Sequence, residues 1–175
     1  MLDRYVAWMD ALYLACIWIA GAAMAVMTVI IPWGVYTRYV LGTGSAWPEP
    51  MAILLMVVFT FFAAAACYRA DAHIAVRLLG DRLPARLRPL AARLVDLLMA
   101  ALALFMVVWG TQLCYITWNQ TIAEFPFLSA GLTYAPLPVG SAITLLFILE
   151  RFLAGSQAAR PVVSFERETR PETAD

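Results

Sequence analysis

Four long apolar runs, none of which contains an acid or a base, dominate the pattern of hydrophobic and polar positions. They cover residues 11–37, 50–68, 97–123 and 125–149, and they contain 19 to 27 residues each. A helix that crosses a bilayer needs about 20 apolar residues. The runs do not alternate polar and apolar residues, as membrane β-barrel strands do. The pattern therefore predicts an all-α integral membrane protein with four transmembrane helices.

The composition supports a membrane protein and sets its domain boundaries. Hydrophobic residues make up 63% of the chain and charged residues 14%, against about 45–50% and about 25% in soluble domains. The first run is longer than the ~7–15-residue core of a signal peptide, so it is predicted to be retained as a span. We expect residues 1–154 to form the membrane domain and the polar residues 155–175 to form a disordered tail.

The arginines predict the orientation of the spans. The chain has twelve arginines and no lysine, and Arg38 is the one arginine between the first and second runs. The other eleven lie before the first run, between the second and third runs, or after the fourth. Because positively charged loops remain on the cytoplasmic side, both termini are predicted to be cytoplasmic.

The segment 69–96, between the second and third runs, has an amphipathic pattern. Ile74, Leu78 and Leu79 share one helical face, and Gly80 is placed to end such a helix. With its six arginines, the segment predicts a short interfacial helix on anionic lipid headgroups. A docking surface for another protein is the alternative interpretation.

Residues that carry chemistry are scarce. The chain has one histidine, and Cys16, Cys67 and Cys114 lack the paired spacing of a redox or zinc site. No glycine-rich phosphate loop or nucleophile elbow is present. The runs also lack the ionisable groups that pumps and carriers place inside the membrane. The sequence therefore predicts that the chain is not an enzyme, and that it has no cofactor, metal or nucleic-acid partner.

Two other functional classes remain open on the residues alone. A stand-alone small multidrug-resistance transporter depends on a glutamate inside the membrane, whereas Glu124 and Glu150 lie only at the ends of runs. A membrane anchor of a redox complex is the second alternative, although a single histidine cannot supply both axial ligands of a haem.

Short motifs at the ends of the runs point to a family. They are Arg38-Tyr39, Trp47-Pro48-Glu49, His73-Ile74-Ala75-Val76 and, late in the chain, Tyr134 to Gly140 with Pro138 between them. In this order across four spans, from about Tyr5 to Leu153, they resemble the small, DctQ-like membrane subunit of tripartite ATP-independent periplasmic (TRAP) transporters. Two positions depart from the family pattern: Pro50 replaces a second glutamate, and Arg77 stands where an acidic residue is common. The contacts of those two positions are not carried over to this chain.

The resemblance implies a place in a three-part, sodium-driven uptake system for organic anions such as carboxylates. In such a system, a periplasmic binding protein docks on the outer face and a large membrane subunit carries the substrate. The resemblance further implies that the small subunit packs on the large one as a scaffold, forming a heterodimer in the bacterial cytoplasmic (inner) membrane.

Five residues at the ends of the second run are candidates for contacts with partners or lipids, and none is expected to bind substrate. Arg38 is expected to pair with Glu49 or to hold a lipid phosphate at the outer face, unless it snorkels alone. Trp47 is expected to anchor at the interface or to contact the large subunit. Glu49 is also placed to cap the second span. Arg69 and His73, at the other end of that span, are candidates for the same kinds of contact.

Overall fold

The computed structural model describes residues 2–71 and 87–155, and most of these residues are helical. The helices are α1 (Leu2–Tyr39), α2 (Pro48–Arg69), α3 (Arg88–Ile116), α4 (Ala130–Tyr134) and α5 (Pro136–Ala154). A two-stranded antiparallel hairpin, β1 (Thr121–Ile122) and β2 (Phe125–Ser129), connects α3 to α4. Four segments are long and apolar enough to cross a membrane: Arg4–Tyr39, Pro48–Arg69, Pro89–Ile116 and Ala130–Leu153. The prediction of four membrane helices is confirmed.

The long helices pack in an order that differs from their order in the chain. Helix α1 packs on α2, α2 packs on α5, and α5 packs on α3. Because successive spans run in opposite directions, the start of α1, the end of α2, the start of α3 and the end of α5 meet at one end of the bundle. We call this the network end. The opposite end, which carries the β-hairpin, is the hairpin end.

The main buried core lies toward the network end. Its members come from α1, α2 and α5: Met9, Tyr13, Cys16, Ala65, Ala66, Tyr68, Ile143, Phe147 and Ile148. The two alanines allow neighbouring helices to approach closely, as small residues commonly do in membrane bundles. Met99 and Ala100 of α3 pack against the same core. All four long helices therefore converge at this end.

A glycine sets the distance between α2 and α5 nearer the middle of the bundle. A Cβ atom added at Gly140 would lie 2.7 Å from the Cβ atom of Phe61 and 3.0 Å from its carbonyl oxygen. Any side chain at this position would therefore push the two helices apart. This close approach gives a structural reason for the glycine at the end of the late sequence motif.

The third and fourth helices have other boundaries than the sequence predicts. The third was predicted over residues 97–123, but α3 ends at Ile116, because the polar residues that follow it form a turn and the hairpin. The hydroxyl group of Thr117 donates to the carbonyl oxygen of Leu113 at 2.8 Å, and the Ala130 amide donates to the carbonyl oxygen of Gln120. Residues 125–129, predicted to open the fourth span, form β2.

The charged segment between the second and third spans is described only in part. Residues 88–96, which the sequence assigned to the cytoplasmic loop, form the first turns of α3. Helix α3 can begin at Arg88 because Pro89 then lies in the first turn, where a proline needs no amide hydrogen. The rest of the expected interfacial helix, in residues 72–86, lies outside the described residues, as does the tail beyond Gly155. Both remain predictions.

Candidate functional site

Arg69, the last residue of α2, is bound by acids from two other helices at the network end. Its Nε and Nη2 atoms donate to the two carboxylate oxygens of Glu150 in α5, each at 2.8 Å. Its Nη2 atom also lies 2.7 Å from Oδ1 of Asp10 in α1. The side chains of Arg69 and Glu150 are each only 1% exposed. One guanidinium group therefore connects α1, α2 and α5 inside the bundle.

The pairing explains how this arginine is accommodated away from water. An unpaired buried ion costs several kcal/mol in desolvation, and two-point binding of a carboxylate is the geometry that suits a guanidinium group. The guanidinium carbon lies 5.4 Å from the ring centres of both Tyr13 and Phe147. These rings add cation–π attraction. The Nη1 atom of Arg69 has no hydrogen-bond partner within the described part of the chain.

A second arginine brings α3 into the same assembly. Arg151 of α5 forms an ion pair with Asp71 through Nη1, and its Nε atom lies 3.2 Å from Oδ2 of Asp96 in α3. The hydroxyl group of Tyr68 donates to Oδ1 of Asp96 at 2.8 Å. Asp71 has a φ of 53°, a left-handed conformation that aspartate tolerates better than most residues.

These seven residues form what we call the ionic network: Asp10, Tyr68, Arg69, Asp71, Asp96, Glu150 and Arg151. Every long helix contributes at least one member, and Asp71 lies two residues after the end of α2. Both arginines of the network form ion pairs within the chain, and the middle of each span contains no charged residue. The network therefore joins the long helices to one another at this end of the bundle.

One exposed ion pair stands at the hairpin end. Nη2 of Arg38, near the end of α1, lies 3.4 Å from Oε2 of Glu49, in the first turn of α2. Their side chains are 56% and 74% exposed. Such exposed pairs contribute about 0–1 kcal/mol. Arg38 therefore lies beside Glu49, as one of its expected contacts, and both charged groups remain accessible at the surface. Contacts of this pair with a lipid or a partner stay a prediction.

The other candidates have different outcomes. Trp47 is the N-cap residue of α2, exposed at the hairpin end, and no side chain forms a capping hydrogen bond there. The guanidinium group of Arg69 is enclosed within this chain and paired with Glu150 and Asp10. A contact of Arg69 with a lipid or a partner stays a prediction. His73 lies outside the described residues, so its role stays a prediction.

The sequence alone does not single out the acids of the ionic network or Arg151. Each of Asp10, Asp96 and Glu150 directly borders an apolar run, where a charged residue is unremarkable. A signal was nevertheless present: with Arg69, these three acids border the four runs at the same end once the spans alternate in direction. The described residues contain no group of three His, Cys, Asp or Glu side chains that could hold a metal ion.

Comparison with known proteins gives two findings. The family described as "Tripartite ATP-independent periplasmic transporters, DctQ component" matches residues 27–158. This range includes the end of the first span and all of the other three. The chain is also similar to the small permease protein SiaQ of a sialic acid TRAP transporter from Vibrio cholerae serotype O1. The two sequences are 24% identical over 132 residues, which is 73% of this chain and 73% of the relative.

Proposed function

This chain belongs to the DctQ component family of TRAP transporters, and from this premise we propose that it is the scaffold on which a large, substrate-carrying membrane subunit is held. It is a small permease subunit, a multi-pass protein of the bacterial inner membrane, and a transporter component rather than an enzyme. Its family implies that it works with a large membrane subunit and a substrate-binding protein.

The observation that carries the scaffold role is the use of the buried charges. Carriers place ionisable groups inside the membrane along the path of their substrate or ion. In this chain the buried charges of the ionic network bind one another at one end of the bundle. The middle of the spans offers no free charge for ion coupling, which supports a partner subunit as the carrier of substrate and sodium.

The surface of the bundle supports packing against a large partner. Helices α1 and α3 expose many large apolar side chains; on α3 these include Leu98, Leu102, Phe105 and Trp109. Such side chains need either lipid or another protein around them. We propose that part of this surface packs on the large subunit in a heterodimer, and that lipid covers the rest.

Orientation, driving ion and substrate class complete the proposal. Both termini are cytoplasmic, because eleven of the twelve arginines then lie on the cytoplasmic side. The hairpin end then faces the periplasm, where the binding protein docks. The arginines of segment 69–96 other than Arg69 contact anionic headgroups on the other side. Sodium drives uptake of an organic anion, such as a carboxylate. The similar small permease protein SiaQ belongs to a sialic acid transporter, which supports an organic acid as substrate.

Co-purification and uptake test the scaffold role together. A tagged form of this chain, co-expressed with the large subunit of the same transporter, is expected to extract from membranes as a stable complex in mild detergent. A tagged, unrelated four-helix membrane protein is the control.

Deletion of this chain is expected to abolish uptake, and expression from a plasmid to restore it. Undiminished uptake in the deletion strain would refute the proposal, and proton-coupled efflux by the purified chain would favour a stand-alone transporter.

A further inference from the structure

A groove between α1 and α2 opens toward the membrane near the hairpin end. Its volume is about 400 Å³, within the range of small-molecule sites. Its walls are mainly apolar, with Met27, Ile31 and Val35 from α1 facing Ala52, Ile53 and Met56 from α2. Four of these side chains are exposed, so the groove is accessible from the side of the bundle.

The groove has the length of one lipid leaflet. From Met27 to Arg38 the lining follows α1 for about 16 Å, at ~1.5 Å per residue. The hydrocarbon core of a bilayer is about 30 Å thick, so one leaflet takes up half of that distance. The groove therefore matches an acyl chain in one leaflet, with its headgroup at the level of Arg38.

The charges at the mouth of the groove are opposite and exposed. Arg38 and Glu49 both line the groove, and their long 3.4 Å contact, in side chains more than half exposed, is a weak one. A guanidinium group binds phosphate strongly, and a carboxylate accepts hydrogen bonds from an ammonium group. The pair therefore complements a headgroup that carries a phosphate and a primary amine side by side.

We propose that this groove is a binding site for one zwitterionic aminophospholipid of the phosphatidylethanolamine class. Its phosphate binds Arg38, its ammonium group binds Glu49, and an acyl chain fills the groove. An anionic headgroup without an amine meets repulsion from Glu49, and a choline headgroup has no N–H group to donate. A partner helix in the groove would bury both charges at a cost in desolvation, whereas a lipid headgroup leaves them at the water boundary.

Native mass spectrometry of the purified full chain tests the site. The delipidated protein is exposed to an equimolar mixture of phosphatidylethanolamine, phosphatidylcholine and phosphatidylglycerol with identical acyl chains. We expect phosphatidylethanolamine to be retained about fivefold over the other two, the ratio that corresponds to about 1 kcal/mol. The chain is used alone, so this result does not depend on the scaffold role.

Three variants separate the parts of the site. Glu49→Gln is expected to remove the preference for ethanolamine over choline while retaining both lipids. Arg38→Gln is expected to lower retention of all three lipids, because each carries the phosphate. Ala52→Trp, which fills the groove, is expected to abolish retention. Arg4→Gln, at an exposed arginine near the start of α1 at the network end, is the matched control and is expected to leave retention unchanged.

Circular dichroism and gel filtration establish that each variant is folded before its lipids are measured. Equal retention of the three headgroups by the unchanged protein would overturn the proposal. Unchanged selectivity in Glu49→Gln would also overturn it. An Ile53→Cys variant is also tested for crosslinking to a photoactivatable phosphatidylethanolamine and to the large subunit. Crosslinking to the large subunit and not to the lipid would show that a partner helix occupies the groove, and would overturn the proposal.

Discussion

The two ends of the bundle use the same chemistry, an arginine paired with carboxylates, in opposite surroundings. At the network end, Arg69 and Glu150 are each 1% exposed and join helices that are distant in sequence. At the hairpin end, Arg38 and Glu49 are 56% and 74% exposed and join helices that are consecutive in the chain. The contribution of an ion pair therefore depends on its burial and on which elements it connects, more than on the residue types.

The two ends of the bundle therefore contribute differently to the molecule. The network end contains the main core and holds all four long helices together. The hairpin end has a groove between α1 and α2 and an accessible charge at its mouth. Both features fit the scaffold role proposed above: one end keeps the helices of this chain in place, and the other has a surface that is open to lipids and partners.

Arg69→Ala is expected to have the largest effect on this comparison. It removes the guanidinium group that neutralises the buried Glu150 and the half-buried Asp10, which costs about 3–5 kcal/mol. Thermal unfolding of the purified chain in one detergent measures the loss. The stability of Arg69→Lys is expected to lie between that of the unchanged protein and that of Arg69→Ala. The lysine keeps the charge, but its ammonium group cannot bind both carboxylate oxygens in the same planar geometry.

Arg93→Ala is the matched control for the arginine variants, since Arg93 is exposed on α3 near the same end. It is expected to change the free energy of unfolding by less than about 0.5 kcal/mol. If Arg69→Ala and Arg93→Ala unfolded at the same temperature, the network would not fasten the bundle.

Gly140→Ala is expected to have the next largest effect, destabilising the chain by about 1–3 kcal/mol through overpacking against Phe61. Gly21→Ala is the control, because a Cβ atom at Gly21 has nothing within 4 Å. In that open position, alanine is expected to stabilise the helix by about 0.5–1 kcal/mol. Chemical denaturation of both variants compares them, and equal effects of the same sign would contradict the close approach of α2 and α5.

Tyr68→Phe tests the part of the network that reaches α3. Loss of the 2.8 Å hydrogen bond to Asp96 is expected to cost about 1–3 kcal/mol, because a buried carboxylate loses a donor. Tyr115→Phe, at a side chain 83% exposed, is expected to be near neutral. Thermal unfolding of the two variants side by side gives the difference, and a neutral Tyr68→Phe would remove Asp96 from the fastening.

The smallest effect is expected for the pair at the hairpin end. A double-mutant cycle with Arg38→Ala and Glu49→Ala is expected to give a coupling energy of about 0.2–1 kcal/mol. The coupling is expected to decrease further as salt is added. A coupling as large as the loss in Arg69→Ala would contradict the distinction between the two ends.

The parts of the fold that depend on local sequence could be predicted. Run length alone predicts the four spans, and the short connection after Arg38 predicts its meeting with Glu49. The pairing of Arg69 with Glu150 could not be predicted, because it depends on the packing order α1–α2–α5–α3 and on the rotation of each helix. The end of α3 could not be predicted because residues 117–123 include four polar residues but no charged one, so the run without acids or bases continues through the turn.

Reconstitution into proteoliposomes tests the central claim, that this chain supports a carrier without carrying substrate itself. Uptake of labelled substrate is measured with a sodium gradient, for this chain alone, for the large subunit with the binding protein, and for all three proteins. We expect uptake only when all three are present. Transport by this chain alone, or full uptake without it, would contradict the account.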